Sequence, residues 1–416
     1  MATDSGGAGR MSRRSLLERG LAAAALLSLP LDRRRWISGS PERERKYADA
    51  ARRAEAWIRR SAVRDAQGTR WPADPDKPAG ITTDMYTGTS GVVLFYLEAW
   101  AATGLSRHRE GARRAMEILH AAATVRGSGI AWNDANDIVA GSAGIGLVML
   151  WAQRALGDTA AREDAIKAGR HLVEVGIPEK GGLKWELAAN FPRRYPNFSH
   201  GTGGVAYFLA ALYAETNERA FLEAAIGGAT YLDAISTPTG PAGRRVFHHE
   251  PGGEDLFYLS WCHGPAGTAR LYHQLAKVTG EAKYRNQVPR LAQGIVDSGV
   301  PEVHPDLSGY WNNISQCCGN AGVCEYFLSM HELTNDRRHV EFAVRVAEDM
   351  LARGTADGDG MKWVQAENRI SPQEVIAQTG LMPGAAGVGL AFLHLDGAIE
   401  GRAPVIKLPD DPDWAA

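Results

Sequence analysis

Three of the four cysteines in this sequence are placed where they could share a metal ion. Cys262 precedes Gly264 by two residues, and the pair Cys317 and Cys318 directly precedes Gly319. Thiolates are good zinc ligands, and three protein ligands with one open position are typical of a catalytic zinc site. Inert buried thiols or a disulfide are the alternatives, but a bridge between two adjacent cysteines is strained. We therefore predict one Zn²⁺ held by these three side chains.

The fourth cysteine, Cys324, occupies a different kind of position. It stands two residues after Gly322, where the comparable segments of the chain carry small or apolar residues, namely Val93, Gly146, Ala206, Ala269 and Gly389. A free cysteine packs like a small hydrophobic residue. Cys324 is therefore predicted to lie in the core.

The cysteines precede copies of a repeated unit, and this unit must position them. Gly-x-x-Gly followed by an apolar run occurs six times, with first glycines 53, 60, 63, 55 and 65 residues apart. Periods of this length indicate helical hairpins. The runs are apolar around most of their circumference, which predicts helices buried on several sides. The six pairs are Gly88/Gly91, Gly141/Gly144, Gly201/Gly204, Gly264/Gly267, Gly319/Gly322 and Gly384/Gly387.

Amphipathic stretches with charged faces separate the apolar runs and predict outer helices. They are residues 42–60, 108–124, 158–173, 218–235, 282–296 and 337–351. Alternating inner apolar and outer amphipathic helices predict an all-α fold, an (α/α) toroid of six or seven helical hairpins. The inner helices of such a toroid begin at one mouth, so the cysteine loops meet there. The helix dipoles at this mouth favour thiolate anions.

Composition excludes some classes of partner. The 416 residues are 44% hydrophobic and 23% charged, as in a globular protein with a substantial core. The net charge of −2 provides no basic excess to neutralise the phosphates of a nucleic acid. We expect a monomer that binds no nucleic acid.

The first 40 residues differ from the rest of the chain. A Ser-Arg-Arg-Ser-Leu-Leu sequence at 12–17 precedes an apolar run at 20–29, a pattern that predicts a twin-arginine export signal. Residues 41–416 then form the toroid domain. A basic leader on a cytoplasmic protein is the alternative, and both the cleavage of the leader and a start at Met11 are left open. The apolar run is too short for a stable membrane span.

Three motifs resemble the signatures of the lanthionine synthetase C-like cyclases. They are Trp-Cys-His-Gly at 261–264, Cys-Cys-Gly-Asn-Ala-Gly at 317–322 and His-Gly-Thr-Gly-Gly at 200–204, and the resemblance covers nearly the whole chain after residue 41. It implies a toroid with one zinc held by Cys262, Cys317 and Cys318. The family usually has Cys-His at the last pair, so Cys318 resembles a three-cysteine subgroup. Three thiolates leave bound Zn²⁺ with a net charge of −1, which predicts a more nucleophilic substrate sulfur.

The resemblance also implies catalytic residues. His200 would give a proton to the α-carbon after thiol addition, and it can first accept the thiol proton. Asp137 would orient His200 or bond to the developing charge, and His263 would make a second polar contact. Some relatives carry an arginine shortly before Trp-Cys, but Tyr258 stands four residues before Cys262, so the oxyanion stabiliser is left unassigned.

A second motif with histidines is not predicted to bind a metal. His248, His249 and Glu250 are adjacent in the sequence, and neighbouring side chains point in different directions. We interpret them as a solvated loop and not as a metal cluster.

The function implied by the resemblance is zinc-dependent Michael-type addition of a cysteine thiol to dehydroalanine or dehydrobutyrine in a peptide. The product is a (methyl)lanthionine thioether, and a separate protein would supply the dehydration. Alternatives are the transfer of a small thiol such as glutathione to dehydroamino acids, a non-catalytic zinc-bearing peptide-binding toroid, and a sugar-processing toroid. The last should present two carboxylates at the mouth. Asp84 and Asp137 stand before repeat glycines, but sugar chemistry does not explain three clustered cysteines.

Overall fold

Inner and outer helices alternate along the chain and form an α/α toroid. The structure is a computed structural model, and it describes residues 46–65, 68–79, 81, 86–87, 92, 95, 119–302, 309–402, 404, 407–408 and 410–415. The predicted leader and the first glycine pair, Gly88/Gly91, lie outside the described residues. The predicted fold class is confirmed.

Five described inner helices begin where the repeats predict. Each has 15 residues and starts directly after the first glycine of its pair, which adopts an extended conformation. At each second glycine, a methyl group would overlap the carbonyl oxygen of the residue six positions earlier. The chain folds back on itself there, so only glycine fits. The inner helices are α2 (Ser142–Leu156), α4 (Thr202–Thr216), α6 (Pro265–Thr279), α9 (Asn320–Thr334) and α11 (Ala385–Ile399).

The outer helices lie close to their predicted ranges. Those that follow a described inner helix pack against it, and the helix Lys46–Arg60 packs against α11, which closes the ring. The second predicted stretch, 108–124, lies within the described residues only from residue 119. The outer helices are α1 (Lys46–Arg60), α3 (Thr159–Glu174), α5 (Arg219–Ile235), α7 (Ala282–Arg285) with α8 (Gln287–Val296), and α10 (Arg337–Ala352).

Short β-hairpins, which the helical periodicity did not predict, follow the outer helices. Four tryptophans just after or between these strands donate an indole N–H to a helix carbonyl thirteen residues earlier, at 2.7–2.9 Å. They are Trp71, Trp132, Trp185 and Trp363. The antiparallel pairs are β1 (Val63–Asp65) with β2 (Gly68–Arg70), β3 (Thr124–Arg126) with β4 (Gly129–Ala131), β5 (Ile177–Glu179) with β6 (Gly182–Lys184), β7 (Thr237–Thr239) with β8 (Gly243–Arg245), and β11 (Thr355–Asp357) with β12 (Gly360–Lys362).

Two further strand pairs belong to the loops that precede inner helices. Strand β9 (Phe257–Tyr258) runs parallel to β10 (Tyr310–Trp311), and β13 (Val364–Ala366) pairs antiparallel with β14 (Val375–Ala377). Strand pairing therefore fixes part of the backbone of the loops before α6, α9 and α11. Within the described part of the chain, no helix is long and apolar enough to cross a bilayer.

Single backbone hydrogen bonds connect the loops before successive inner helices, and we call this series the mouth ring. Each bond joins one loop to the next around the toroid, so the ring fixes the height of every loop relative to its neighbours. Two of the predicted metal ligands are members. The bonds run from Ile138 N to Ser199 O (3.1 Å), Ser199 N to Cys262 O (2.7 Å), Cys262 N to Cys317 O (3.0 Å), Cys317 N to Met382 O (3.0 Å) and Met382 N to Tyr86 O (3.0 Å).

Candidate metal centre and active site

The mouth ring brings the three predicted metal ligands together. The Sγ atom of Cys318 lies 3.2 Å from that of Cys262 and 3.3 Å from that of Cys317. All three sulfurs lie within 4.8 Å of one another, and they form the one His/Cys/Asp/Glu cluster of metal-binding geometry among the described residues. Cys324 is a fully buried residue of α9, as predicted. All four cysteines are free thiols.

The three sulfurs fit a zinc ion. Tetrahedral zinc with Zn–S bonds of about 2.3 Å holds its sulfurs about 3.8 Å apart, so small outward movements of the thiols would admit the ion. Cys262 and Cys317 are each 3% exposed, whereas Cys318 is partly exposed. The open side of the cluster therefore lies near Cys318.

Hydrogen bonds single out one thiol as the first to ionise. Burial opposes the ionisation of Cys317, but hydrogen bonds from Cys262, Cys318 and Tyr86 hold its pKa well below the usual thiol value. The Tyr86 hydroxyl donates to the Cys317 sulfur at 2.8 Å. Burial and the neighbouring Cys317 raise the pKa of Cys262. A divalent cation at the centre would favour ionisation of all three thiols.

His200 and Asp137 form a hydrogen-bonded pair at the same mouth. His200 Nδ1 lies 2.6 Å from Asp137 Oδ2, and the other carboxylate oxygen accepts the backbone N–H groups of Ala140 (3.0 Å) and Gly141 (2.7 Å). The Asp137 side chain is 1% exposed, whereas that of His200 is 34% exposed. A buried, fixed carboxylate thus orients an imidazole whose Nε2 is left for other contacts.

His263 links this pair to the cysteines. It directly follows Cys262, its ring centroid lies 5.5 Å from that of His200, and its Nε2 lies 3.4 Å from Ser199 Oγ. Its Nδ1 is buried without a hydrogen-bond partner. Burial and the neighbouring histidines hold its pKa well below the usual value, so His263 is a neutral imidazole near neutral pH.

His248 and His249 lie on a loop, as predicted, but the prediction that this loop is solvated is wrong. The His248 ring lies 4.2 Å from that of His263, and its Nδ1 lies 2.7 Å from that of His249, which is 5% exposed. Tyr195 contacts all of these rings and His200. Burial, then the nearby His249, Arg369 and His200, lower the pKa of His248 to about 3. The loop folds inward because its imidazoles pack against Tyr195 and His263.

Tyr258 occupies the place where some relatives carry arginine. Its ring lies 5.6 Å from that of His263, and it is 8% exposed. Burial, followed by the thiolates of Cys318 and Cys262, raises its pKa, while Arg369 opposes this shift. Tyr258 therefore keeps its proton near the sulfurs, and Arg369 brings a positive charge to the same place from the loop between β13 and β14.

Sequence reasoning missed Tyr86, Tyr195 and Arg369. A signal for Tyr86 exists, because it stands two residues before a first repeat glycine, as Cys262 and Cys317 do. Tyr195 and Arg369 lie on loops whose length varies between repeats, and no spacing marks them. Their positions depend on tertiary packing.

The arrangement combines three thiols that could hold a soft metal ion with a hydrogen-bonded His–Asp pair. Three thiols can hold one metal ion with a position left for a further sulfur ligand. The oriented imidazole of His200 can accept or donate a proton beside it. Tyr258 and Arg369 can donate hydrogen bonds to an oxygen that gains negative charge.

Comparisons with known proteins identify the family and support the fold. A family model described as lanthionine synthetase C-like protein matches residues 110–406, and no curated protein matches the chain. Among solved structures, the Lin0763 protein from Listeria innocua aligns with a TM-score of 0.55 at 15% identity, over 85% of this chain and 97% of that one. The GH76A alpha-1,6-mannanase from Salegentibacter sp. HEL1_6 aligns with a TM-score of 0.53 at 14% identity, over 85% and 99%. At such identities these two structures support the toroidal fold alone.

Proposed function

This chain belongs to the lanthionine synthetase C-like family, and from that premise we propose that it adds a cysteine thiol to dehydroalanine or dehydrobutyrine in a peptide. The product is a thioether, and the substrate would be supplied by a separate dehydratase. The observation that carries the proposal is the placement of Cys262, Cys317 and Cys318 beside the His200–Asp137 pair.

The three cysteines would hold the metal. A bound zinc ion supplies an open coordination position and lowers the pKa of a thiol that occupies it. Backbone bonds of the mouth ring hold Cys262 and Cys317 in place. Tyr86 stabilises negative charge on Cys317 through its hydroxyl hydrogen bond.

His200 would manage the protons of the addition. A sulfur–carbon bond forms at the β-carbon, the π electrons of the double bond move toward the α-carbon and its carbonyl, and the α-carbon takes up one proton. The thiol loses one proton, so the reaction is balanced without an oxidant or a leaving group. Asp137 binds Nδ1 of His200, so Nε2 is the atom that exchanges the proton.

Tyr258 and Arg369 are the groups that we assign to the carbonyl oxygen of the dehydroamino acid. Tyr258 keeps its proton because burial and the nearby thiolates raise its pKa. A neutral hydroxyl and a guanidinium can both donate hydrogen bonds to the enolate oxygen as it forms. They would take the place of the arginine that some relatives carry before the Trp-Cys motif.

Transfer of a small thiol is the second candidate function. Arg193 and Arg369 both contribute to the lowered pKa values of His248 and His249, so two cations lie beside the mouth. Glutathione carries two carboxylates that would pair with such cations. The same cysteines and the same histidine would serve this reaction.

Sugar hydrolysis receives no support from the site. Asp137 is buried, and its oxygens are bonded to His200, Ala140 and Gly141, so it is not available as a general acid or a nucleophile. Asp84, the other carboxylate considered, lies outside the described residues. The likeness to mannanases concerns the fold.

One experiment tests the first proposal against the second. The zinc-loaded protein is incubated with a peptide that holds both Cys and dehydroalanine, and free thiols are then labelled. Intramolecular addition leaves the mass unchanged and removes the labelling. A second peptide without Cys is incubated with glutathione, and addition raises its mass by one glutathione. Unchanged thiol labelling and unchanged mass would refute both functions, and Cys262→Ala with its matched control Cys324→Ala shows whether the metal centre is needed.

Localisation and assembly complete the proposal. We propose that residues 1–40 are a twin-arginine leader for the domain at 41–416, and that the protein acts as a monomer. Export of a folded reporter fused to residues 1–40 would support the leader, and retention of the reporter would contradict it.

A further inference from the structure

A segment near the end of the chain reaches the loop that carries Cys262. We call residues 407–408 and 410–415 the tail segment. Asp410, which is 9% exposed, accepts the indole N–H of Trp261 through Oδ2 at 2.7 Å. Trp261 directly precedes Cys262 in the chain. The tail segment therefore bonds to the side chain of the residue that directly precedes a predicted metal ligand.

The tail segment is anchored along inner helix α6. The backbone oxygen of Asp413 accepts hydrogen bonds from His273 Nε2 (3.0 Å) and Lys277 Nζ (3.2 Å). Trp414 is 1% exposed, and its ring lies 4.6 Å from that of His273. Its indole N–H donates to Asp411 Oδ1 at 2.9 Å. These contacts fix the backbone on one side of Asp410.

Arg270 of the same helix completes the surroundings of Asp410. Its Nε lies 3.8 Å from Asp410 Oδ2, and its Nη2 lies 3.7 Å from Asp411 Oδ1. The Arg270 side chain is only 9% exposed, so one buried guanidinium lies beside both carboxylates. Asp410 therefore presents a fixed oxygen acceptor to Trp261.

Trp261 is confined on its other faces as well. The Phe198 ring packs edge-on against its indole with centroids 5.8 Å apart, and its carbonyl oxygen lies against Gly267, where a methyl group would overlap it. Asp410 is the partner of the indole N–H. Without that acceptor a buried donor would be unpaired, and such a loss drives the side chain to move.

We infer that Asp410 of the tail segment is a positioning residue for the metal centre and acts through its hydrogen bond to Trp261. The indole, held by Asp410 and Phe198, sets the direction of the backbone at Cys262 and so the position of its sulfur. This inference rests on the proposed zinc centre. It assigns to the tail segment a role in metal affinity in addition to its packing.

The expected effect is a loss of zinc affinity. Groups that orient metal ligands typically change metal affinity by about 10-fold to 100-fold when they are removed. Trp261→Phe keeps an aromatic but smaller ring and deletes the N–H, and Asp410→Ala deletes the acceptor. Each is expected to weaken zinc binding about tenfold. Because both remove one hydrogen bond, the double variant should lose no more than either single variant.

Zinc competition with a chromophoric chelator measures these affinities on the full chain. Lys407→Ala is the matched control, since it removes a partly exposed ion pair of the tail segment with Glu332 at 3.1 Å and leaves Asp410 intact. The absorption spectrum of cobalt-loaded protein reports the ligand geometry of the thiolates. Thermal unfolding in the presence of a metal chelator gives the stability of each variant without metal.

The outcomes separate this inference from the proposed function. Weaker zinc binding and an altered cobalt spectrum in Trp261→Phe and Asp410→Ala, with Lys407→Ala within about twofold of wild type, support the inference. Wild-type affinity in both single variants, or equal losses in Lys407→Ala, overturns it. If the wild type binds zinc but does not add thiols, the proposed function fails and the inference stands. If the wild type binds no zinc, both fail.

Discussion

The two sides of the mouth differ in their exposure to solvent. On the sulfur side, Cys262 and Cys317 are each 3% exposed and are fixed by backbone bonds. On the imidazole side, the His200 side chain is 34% exposed and is held by a buried carboxylate. A metal site gains strength from exclusion of water and from fixed ligands, whereas a group that carries protons must exchange them with solvent. The difference fits the proposal that the sulfur side binds the metal and the imidazole side transfers the proton.

The imidazole side is itself divided. His200 has Asp137 as a partner, whereas His263 and His248 are surrounded by other imidazoles, and nearby arginines add to the positive field at His248. A carboxylate partner favours an imidazole that takes up a proton. The difference supports the proposal that His200 exchanges the proton, whereas the pKa values of His263 and His248 are lowered and these two rings pack as neutral imidazoles.

Removal of one of the proposed zinc ligands on the sulfur side should have the largest effect on metal binding and activity. Cys262→Ala is expected to weaken zinc binding by at least about a hundredfold and to abolish thiol addition, because two thiolates hold the ion poorly. Elemental analysis of the purified protein measures the zinc content. Cys324→Ala, a matched change in the core, should keep both zinc and activity. Full zinc content in Cys262→Ala would contradict the assignment of the ligand.

Removal of the proton carrier should affect chemistry and leave metal binding intact. His200→Ala is expected to slow thiol addition by about 10²-fold to 10⁴-fold, the usual contribution of a general acid or base. Zinc content and peptide binding should match the wild type. Asp137→Asn, which removes the charge and keeps the shape, should also slow the addition, because an amide N–H that faces Nδ1 favours the wrong tautomer of His200. An unchanged rate in His200→Ala would show that another group supplies the proton.

Replacement of one thiolate ligand by histidine tests how the sulfur side affects the reactivity of the substrate sulfur. Cys318→His replaces a thiolate by a neutral ligand and changes the net charge of a zinc-loaded site from −1 to 0. A less electron-rich metal should make the substrate sulfur less nucleophilic, so addition is expected to slow by roughly tenfold while zinc is retained. Single-turnover rates at saturating zinc measure this. Equal or faster addition by the variant would refute the idea.

Acid should reveal the histidines that have no carboxylate partner. The pKa of His248 is lowered to about 3 in the folded state, from an ordinary value near 6.5. Below about pH 6.5 the unfolded chain binds a proton that the folded chain does not, so stability falls as the pH falls from about 6.5 toward 3. His248→Gln should reduce the loss of unfolding free energy between pH 7 and pH 5 by about 1 to 2 kcal/mol.

Denaturant unfolding in the presence of a metal chelator measures this difference. A comparison of wild type and His248→Gln at pH 8, where histidines are neutral, corrects for packing changes. Parallel pH dependence of the two proteins would show that His248 titrates normally.

The fold was predictable because its signals are local and repeated. The first glycine of each pair marks the start of an inner helix, and the second is required by a carbonyl oxygen six residues earlier. The proximity of Cys262 to Cys317 followed from their equal distance to these glycines. The hairpins were missed because three-residue strands leave no periodicity, although the thirteen-residue step from a helix carbonyl to a tryptophan recurs four times.

The parts of the site that escaped prediction depend on loops that differ between repeats. Arg369 reaches Tyr258 from the loop between β13 and β14, and His248 turns inward to meet Tyr195. Neither contact is set by a distance along the chain. The bond between Trp261 and Asp410 joins residues 149 positions apart, and no pattern in the sequence connects them.

The mouth ring also means that side chains at the mouth can be exchanged without a change in the backbone that holds them. Tyr86, Ser199, Cys262, Cys317 and Met382 all stand two residues before a repeat glycine and are joined by the same kind of bond. Five of the six repeats therefore place one residue at an equivalent position in the mouth ring, whereas Ile138 stands three residues before Gly141. An amino-acid exchange at such a position alters the side chain at the mouth and leaves the backbone bond in place. Three of these five positions hold no cysteine, so the same fold could carry further reactive side chains at positions where the present sequence has none.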